Sequence, residues 1–466
     1  MAATRKTSRR SMEDIFQEII NDSGSEVESD SDSDEESDEN ADPVIPTVSA
    51  TGDGVSLVST RRGRGRGFHA HGRSHGTRSN ARRGVRSTRG WAGRAAAEFV
   101  WVNPSPRHLD RFDGSTSGLN TSELAPGCSI MNSFRAIYDR TFFQLLKGEI
   151  NRYANQTLTD TDRKIWKPIT FDDLHQFFAM VIHMCLVHKP TIDDYFSTNA
   201  VMHSTFPNAI GLGRDKFKRI LRYLHLNDNE NYARRGDSNH DPLYKIKSFY
   251  DHLIPKFGSL YKPGASITVD EAICPFHGRV HFRVYMKNKP NKYGLRVECV
   301  CESTSGIVCN MEVYTATGDN TVEALLTRVL GPFSIKGHRV FMDRRYSSSV
   351  IFKKLREMDF YPVGTVNKNR KHLPIEFKNK KLKKGERITK QCGDILATMW
   401  KDVRDVYTLS TVDEDAMINT NTQGPRYGNH ETLKPASVVT YNKNKAGVDK
   451  HDQMASYYPF IRRQMK

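Results

Sequence analysis

The chain reads as an α/β protein: a long polar tail, then a helical region, then a mixed sheet. Three observations predict this. Apolar residues recur at helical spacing between about residues 131 and 225. Beyond Pro263-Gly264 they switch to short β-branched or alternating runs interleaved with helical ones. The first hundred residues carry charge and small polar residues but little that would form a core.

Residues 1–104 are the tail. Its segment 22–42 holds 11 acidic residues and almost nothing apolar, so it cannot bury enough surface to offset the entropy of ordering. It is predicted to be disordered, either a passive solubilising tract or one whose serines, followed by acids, accept phosphate. Residues 61–94 contain 11 arginines and no acid, beginning with Arg62-Gly63-Arg64-Gly65-Arg66-Gly67. That composition holds RNA or DNA loosely without folding, or associates with the acidic tract before it. His69, His71 and His75 within it read as flexible loop rather than as a metal site.

Residues 105–262 are predicted helical, with helical spacing in Met131–Leu146 and Phe171–Val187. The longest apolar run, Phe177–Val187, is broken by His183 and falls well short of the roughly 20 residues a bilayer crossing needs. It reads as a buried core helix, and no membrane partner is expected. In Asp215–His225 the pattern sets Phe217, Ile220, Leu221 and Leu224 on one face and Lys216, Lys218, Arg219 and Arg222 on others, where they meet phosphate or water.

Residues 263–366 alternate between strand and helix. Strands are predicted at Ser266–Ile273, Leu295–Cys301, Ile307–Tyr314, Arg339–Met342 and Tyr361–Val366, and helices at Thr321–Leu330 and Ser347–Met358. Residues 367–440 read as a β-rich insertion with alternating segments at Leu396–Trp400 and Asp405–Thr411. A lysine-rich stretch precedes them, and its Lys380, Lys381, Lys383 and Lys384 serve phosphate contact, nuclear targeting or a solvated loop. Residues 441–466 return to the sheet-bearing part.

Charge narrows the class of partner. Residues 1–94 contain 15 basic and 15 acidic residues, so the net charge of +16 falls on the folded part. Such an excess favours a polyanion, most simply nucleic acid; a soluble basic surface is the alternative. The N-terminus lacks the apolar stretch of a secretory signal, and seven cysteines in a long chain argue against a disulfide framework. A reducing compartment is expected. Cys299, Cys301 and Cys309 read as core packing rather than a zinc knuckle.

Two predicted strands end in aspartate, Ser-Ile-Thr-Val-Asp270 and Val-Phe-Met-Asp343, and strand ends are where open α/β sheets bind ligands. Asp449 and Asp452, three residues apart, share a helix face, and either can complete a carboxylate cage. Oxygen donors of this kind suit magnesium, and two such ions support phosphodiester chemistry. Aspartates at strand ends are also common as turn or cap residues. Strand alternation turns Glu271 to the opposite face from Asp270, outside the site.

A resemblance sharpens this reading. Tyr261-Lys-Pro-Gly-Ala-Ser-Ile-Thr-Val-Asp-Glu-Ala-Ile-Cys-Pro-Phe-His-Gly-Arg279 and Tyr285-Met-Lys-Asn-Lys-Pro-Asn-Lys-Tyr-Gly-Leu295 resemble the signature block of piggyBac transposases. Asp193-Asp-Tyr-Phe, Leu221-Arg-Tyr-Leu-His-Leu-Asn-Asp228, Pro242-Leu-Tyr-Lys-Ile, Trp400-Lys-Asp-Val-Arg-Asp-Val-Tyr407 and Tyr441-Asn-Lys-Asn-Lys-Ala-Gly-Val-Asp-Lys-His-Asp-Gln453 follow in the family's order. The resemblance implies an RNase H-like catalytic domain with a β-rich insertion, preceded by a helical dimerisation and DNA-binding region. It assigns the catalytic carboxylates to Asp270, Asp343 and Asp449, with Asp452 as a fourth metal ligand. It implies two Mg2+ ions, replaceable by Mn2+, and nuclear, homodimeric action on double-stranded DNA. Water would nick the transposon end, the freed 3′-hydroxyl would form a hairpin, and integration would follow at TTAA.

Two departures stand out. Arg345 occupies a position where the family commonly has an aromatic residue; it holds phosphate, depresses an aspartate's pKa or sits on the surface. The family continues past an ending like Tyr457–Lys466 into further helices and a cysteine-rich module, so the chain is expected to be truncated. Three readings follow: a metal-dependent transposase, a non-catalytic DNA or chromatin binder, and an RNA-associated protein acting through the Arg/Gly tail. Deleting residues 61–94 is expected to leave duplex DNA binding in place, measured by mobility shift; loss of all nucleic-acid binding would select the third reading.

Overall fold

The computed structural model describes residues 99–106, 112–287, 289, 291–424 and 428–460. The acidic tract 22–42, the Arg/Gly-rich 61–94 and the histidines at 69, 71 and 75 lie outside the described residues. From Trp101 onward the described residues pack as one unit.

Helices dominate up to residue 260: α1 (Ile130–Ile137), α2 (Arg140–Thr157), α3 (Asp160–Ile165), α4 (Phe171–Leu186), α5 (Phe206–Ile210), α6 (Arg214–Tyr223) and α7 (Tyr244–Leu260). Their starts are written in the sequence. Ser129, Asp139, Thr159 and Thr170 each accept a hydrogen bond from a first-turn backbone N–H, and Thr170 with Asp173 forms a full capping box. Phe142, Phe143, Leu146 and Ile150 of α2 meet Leu174, Phe177 and Met180 of α4 and Phe217 and Ile220 of α6 in one buried cluster. Phe177 and Phe217 stack at 5.0 Å between centroids. Within Phe177–Val187, Phe177, Ala179, Met180 and Met184 are core, while Val187 lies exposed past the helix end, and no helix among the described residues is long and apolar enough to cross a membrane.

One prediction within α6 needs correction. The helix ends at Tyr223, so Leu224 is its cap and is 38% exposed, while Tyr223 turns inward. The aromatic ring takes the buried place because Trp166 packs edge-on against it at 5.0 Å.

The strands are β1 (Gly118–Leu119), β2 (Tyr261–Lys262), β3 (Ser266–Pro275), β4 (Val284–Tyr285), β5 (Tyr293–Glu302), β6 (Val308–Val313), β7 (Arg339–Met342), β8 (Tyr361–Thr365), β9 (Arg387–Cys392), β10 (Ile395–Lys401), β11 (Asp405–Ser410), β12 (Met417–Gly424) and β13 (Gly428–Pro435). Helices α8 (Val322–Leu330), α9 (Ser349–Glu357), α10 (Glu376–Asn379), α11 (Ala436–Asn444) and α12 (Gly447–Tyr457) lie among and after them. Nine strands form one mixed sheet in the order β4-β5-β3-β7-β8-β11-β10-β9, with β6 also paired to β5.

The centre, β3-β7-β8, is parallel, and the flanks are antiparallel. Parallel strands are covered on both faces, and the unbroken apolar runs Val340–Met342 and Tyr361–Val363 meet that requirement. The strands and helices predicted between 266 and 366 all form within two residues of their expected ends. Strands β9, β10 and β11, from the range expected to be an insertion, extend the same sheet beyond β8. Strands β12 and β13 pair separately, and α11, packed against β8 and β11, already begins at Ala436.

Two tethers fix the ends of the sheet. At the outer edge, Val102 pairs with Gln391 of β9 by reciprocal hydrogen bonds of 2.8 and 2.9 Å, and Trp101 donates to the carbonyl of His372 at 2.9 Å. At the inner end, the buried Glu302 accepts from the Tyr261 hydroxyl at 2.8 Å, the Gly264 N–H at 2.9 Å and the Ser305 hydroxyl at 2.5 Å. Burial pushes the Glu302 carboxyl up, but these donors, Ser305 first, outweigh it and hold the group below its usual value.

A depressed carboxyl contributes stability that is present above its unfolded pKa, near 4.5, and is lost as pH falls through the folded one. Glu302→Gln is therefore expected to lower stability by about 1–3 kcal/mol at pH 7, because donors are left facing an amide. In denaturant titrations the gap to the native chain should shrink as pH falls below 4.5; a gap independent of pH would contradict this role.

Candidate active site

Strand register builds the site. The last parallel pair between β3 and β7 is Val269 with Met342, so Asp270 and Asp343, each one residue further on, stand side by side where the pairing ends. Adjacent strands lie about 4.8 Å apart, which makes the two carboxylates neighbours. Each has an oxygen fixed by backbone: Glu271 N–H donates to Asp270 Oδ1 at 2.8 Å, and Arg345 N–H to Asp343 Oδ1 at 2.8 Å. The turn after Asp343 is tied back by Ser347, whose N–H and hydroxyl donate to the Asp343 carbonyl at 3.2 and 2.8 Å. A Cβ at Gly364 would lie 2.3 Å from Ser347 Oγ and 2.5 Å from the Met342 carbonyl, so only glycine on β8 lets this turn approach.

Helix α12 supplies the other two carboxylates. It is seated on β3 and β5 through Gly447, where a Cβ would meet Thr268 Oγ1 at 2.8 Å and the Glu302 carbonyl at 3.0 Å. Thr268 also donates to the Asn444 carbonyl at 2.8 Å, and Lys450 Nζ donates to the Thr304 carbonyl at 2.7 Å. Asp449 lies in the first turn of α12, exposed, and Asp452 sits half-buried on the same face.

These groups feel one another. Burial, then Glu271 and Asp343, push the Asp270 carboxyl well above its usual range. Burial and Glu271 raise Asp343, against the pull of the Arg345 and Tyr346 N–H groups. Burial raises Asp452, opposed by Lys289 and His451. Burial alone would lower the Lys289 ammonium, but Asp270, Glu271, Asp452 and Asp449 together raise it. Lys289 Nζ donates to the Glu271 carbonyl at 2.9 Å, so a cation of the chain itself sits beside the carboxylates.

The donor chemistry fits a hard divalent ion: oxygen ligands drawn from β3, β7 and α12, with ionised forms disfavoured by burial and mutual repulsion. As placed they do not close into a cage. Among the described residues no group of three or more His, Cys, Asp or Glu side chains converges to hold a metal ion.

Glu271 is held by Arg345 Nη1 at 3.0 Å and the Tyr346 hydroxyl at 3.0 Å, yet its carboxylate stays close enough to Asp270 to raise it, so strand alternation does not take it out of the site. Arg345 is therefore partly buried rather than free on the surface: its guanidinium is held between Glu271 and Glu298, and it draws Asp343 downward only weakly. Cys299 and Cys301 pack with Ala272 and Val448 in an apolar cluster, Cys309 is likewise buried, and all seven cysteines are free thiols.

The basic residues of α6 are engaged within the chain. Lys216 is paired with Asp173, Lys218 with Asp193 at 2.6 Å, Arg219 with the Asp215 carbonyl at 3.2 Å, and the Arg222 guanidinium lies 5.4 Å from the Tyr223 ring centroid. Lys380, Lys381, Lys383 and Lys384 lie exposed in the loop between α10 and β9. Sequence reasoning missed Lys289, Glu298 and Tyr441, whose phenol is raised by burial and by Asp343, Asp270 and Asp449. The signal for Glu298 was a second charge, two residues after Arg296, in a strand of valines and cysteines.

A family model described as Transposase IS4 matches residues 130–466. The human piggyBac transposable element-derived protein 2 is 21% identical over 375 residues, 76% of this chain. The human piggyBac transposable element-derived protein 3 is 22% identical over 330 residues, 66% of this chain. The chain spans 60% and 53% of the lengths of these two relatives. A cryo-EM structure of a piggyBac transposase synaptic complex with hairpin DNA shares the fold, with a TM-score of 0.63 and 22% identity over 73% of this chain and 70% of that one. The match from residue 130 onward takes in every element that carries Asp270, Asp343, Asp449 and Asp452, and by it the chain belongs to the piggyBac transposase family.

Proposed function

We propose that the chain is a metal-dependent DNA transposase of the DDE/D type, a polynucleotidyl transferase that cuts and joins double-stranded DNA. The register that sets Asp270 beside Asp343 carries this reading, because phosphodiester transfer needs adjacent carboxylates to gather cations at one phosphate. Asp270, Asp343 and Asp449 act as the catalytic carboxylates, with Asp452 a fourth ligand on the face shared with Asp449. Two Mg2+ ions, or Mn2+ in their place, would activate the attacking oxygen and stabilise the leaving one when bound there.

The chain's own residues prepare the site. Backbone N–H groups hold one oxygen of Asp270 and one of Asp343, and the contacts of Gly447 and Lys450 seat α12 so that Asp449 and Asp452 face the same region. Lys289 adds a cation where a phosphodiester oxygen would arrive. On this reading the sheet is RNase H-like, residues 367–440 are its insertion, and residues 105–262 serve dimerisation and DNA binding.

The proposed substrates are transposon ends and TTAA targets, handled in the nucleus by a homodimer. The exposed Lys380, Lys381, Lys383 and Lys384 meet phosphate as they stand, whereas Lys216 and Lys218 would exchange Asp173 and Asp193 for it. Arg219 and Arg222 extend the same face of α6, and the Arg/Gly segment adds a loose contact with RNA or DNA. A second reading, a DNA or chromatin binder without transposition activity, rests on the basic excess of the chain alone.

Incubation with Mg2+ and labelled duplexes carrying the flanking terminal repeats separates the two. Nicked and hairpin products are expected from the native chain. Asp270→Asn and Asp343→Asn should lose cleavage by at least 100-fold, on the order of what an essential metal ligand contributes, while binding the duplex nearly as well in a mobility shift. Equal cleavage by these variants would sink the mechanism, and a native chain that binds without cutting would select the second reading.

A further inference from the structure

Behind the paired aspartates lies a buried ionic cluster that the mechanism above does not use. Glu271 and Glu298 are direct partners across the antiparallel β3–β5 ladder, so their carboxylates share one face, an arrangement like charges disfavour. Glu298 is only 1% exposed. Arg345 resolves the conflict with both ends of its fork: Nη1 donates to Glu271 Oε2 at 3.0 Å and Nη2 to Glu298 Oε1 at 3.1 Å. The hydroxyl of the fully buried Tyr346 lies 2.5 Å from Glu298 Oε2 and 3.0 Å from Glu271 Oε2, and its single proton bridges the pair. Arg296 adds a second cation, 3.0 Å from Glu298 Oε1.

The backbones of the same residues hold the aspartates. The N–H of Glu271 fixes Asp270, and the N–H of Arg345 fixes Asp343. The Arg345–Glu271 ion pair therefore closes a ring that runs from the Asp270 carboxylate through Glu271 and Arg345 to the Asp343 carboxylate. We propose that Arg345 is a positioning residue whose guanidinium, locked between Glu271 and Glu298, sets the spacing and orientation of Asp270 and Asp343 for a divalent cation. This rests on the reading of that pair as cation-holding. Arginine is required because a planar fork engages two carboxylates at once, whereas a lysine ammonium is a single point charge on a flexible stem.

The test measures Mn2+ affinity of the full chain by electron paramagnetic resonance, with thermal unfolding recorded in parallel. Arg345→Met leaves the buried Glu271 without its guanidinium and Glu298 with Arg296 alone, and can fail to fold, so Arg345→Met with Glu298→Gln, which removes one of those charges, is the decisive variant. It is expected to unfold near the native temperature yet bind Mn2+ about 10–100-fold more weakly, as loss of an outer partner of a metal ligand does. Arg345→Lys should weaken binding as well, though less. Native Mn2+ affinity in the folded double variant would overturn the inference, since charge neutralisation would then be the whole role of Arg345. Asp270→Asn distinguishes the two proposals. Native-like Mn2+ binding by Asp270→Asn overturns the proposed function itself, whereas loss there with none in the Arg345 variants overturns this inference alone.

Discussion

The mutual repulsion of carboxylates held on neighbouring strands is the constraint around which this fold is arranged. Register sets Asp270 beside Asp343, and the adjoining pair sets Glu271 against Glu298 on the other face. Two unit charges about 4 Å apart repel by about 4 kcal/mol at the effective dielectric typical near a protein surface. A single hydrogen bond returns only about 1 kcal/mol net, so donors alone cannot stabilise both rows. On the Glu271 side the chain supplies its own cations, Arg345 and Arg296. On the aspartate side it supplies Lys289 and leaves Asp270 and Asp343 raised. Glu271, engaged by Arg345, still repels Asp270 and Asp343, and that residual repulsion is what a cation from outside would relieve.

Close backbone approach then decides where the second pair of aspartates can stand. Helix α12 reaches the sheet only because Gly447 carries no side chain, and the Ser347 turn reaches β8 only because Gly364 carries none. Thr268, buried between them in β3, touches both Ser303 and the end of α11, so strand, turn and helix share one hydroxyl. Carboxylates from three elements distant in sequence are thereby held by contacts that tolerate little change in volume. The helical region keeps its own core of aromatic and aliphatic side chains, joined to the sheet through the Tyr250 hydroxyl, which donates to the Met311 carbonyl at 2.8 Å.

The central strands and the aspartates at their ends were legible because buried parallel strands must be unbroken apolar runs, and a charge ending such a run is conspicuous. The helices after Thr170 and Thr321 were legible from apolar spacing, and the structure adds that both threonines cap them. Helix α7 was not legible: among its 17 residues only Leu260 is fully buried, and Pro255 interrupts the pattern, so no apolar stripe betrays it. Leu224 misled because a leucine outranks a tyrosine on any apolar count, while the partner that draws Tyr223 inward, Trp166, lies far back in the sequence. The role of Arg345 was hidden for the same reason. Its partners lie 74 and 47 residues away, and nothing local to Asp343 shows that two glutamates converge on it.

The strap formed by residues 101–105 along β9 has a consequence for the order of events during synthesis. Asn103 accepts from Lys390, 287 positions further along the chain, so the strap leaves the ribosome long before its partner strand exists. At about 5–20 residues per second, the interval is roughly 15–60 s. Throughout that time the strap's backbone groups have only water or a wrong strand to bind, and closing so long a loop gives little return until β9 and β10 have already paired. The outer edge of the sheet is therefore among the last parts of the chain to become protected. A chaperone or protease meeting the nascent protein would find its opening there, at the edge of the sheet four strands away from the one that leads into Asp343.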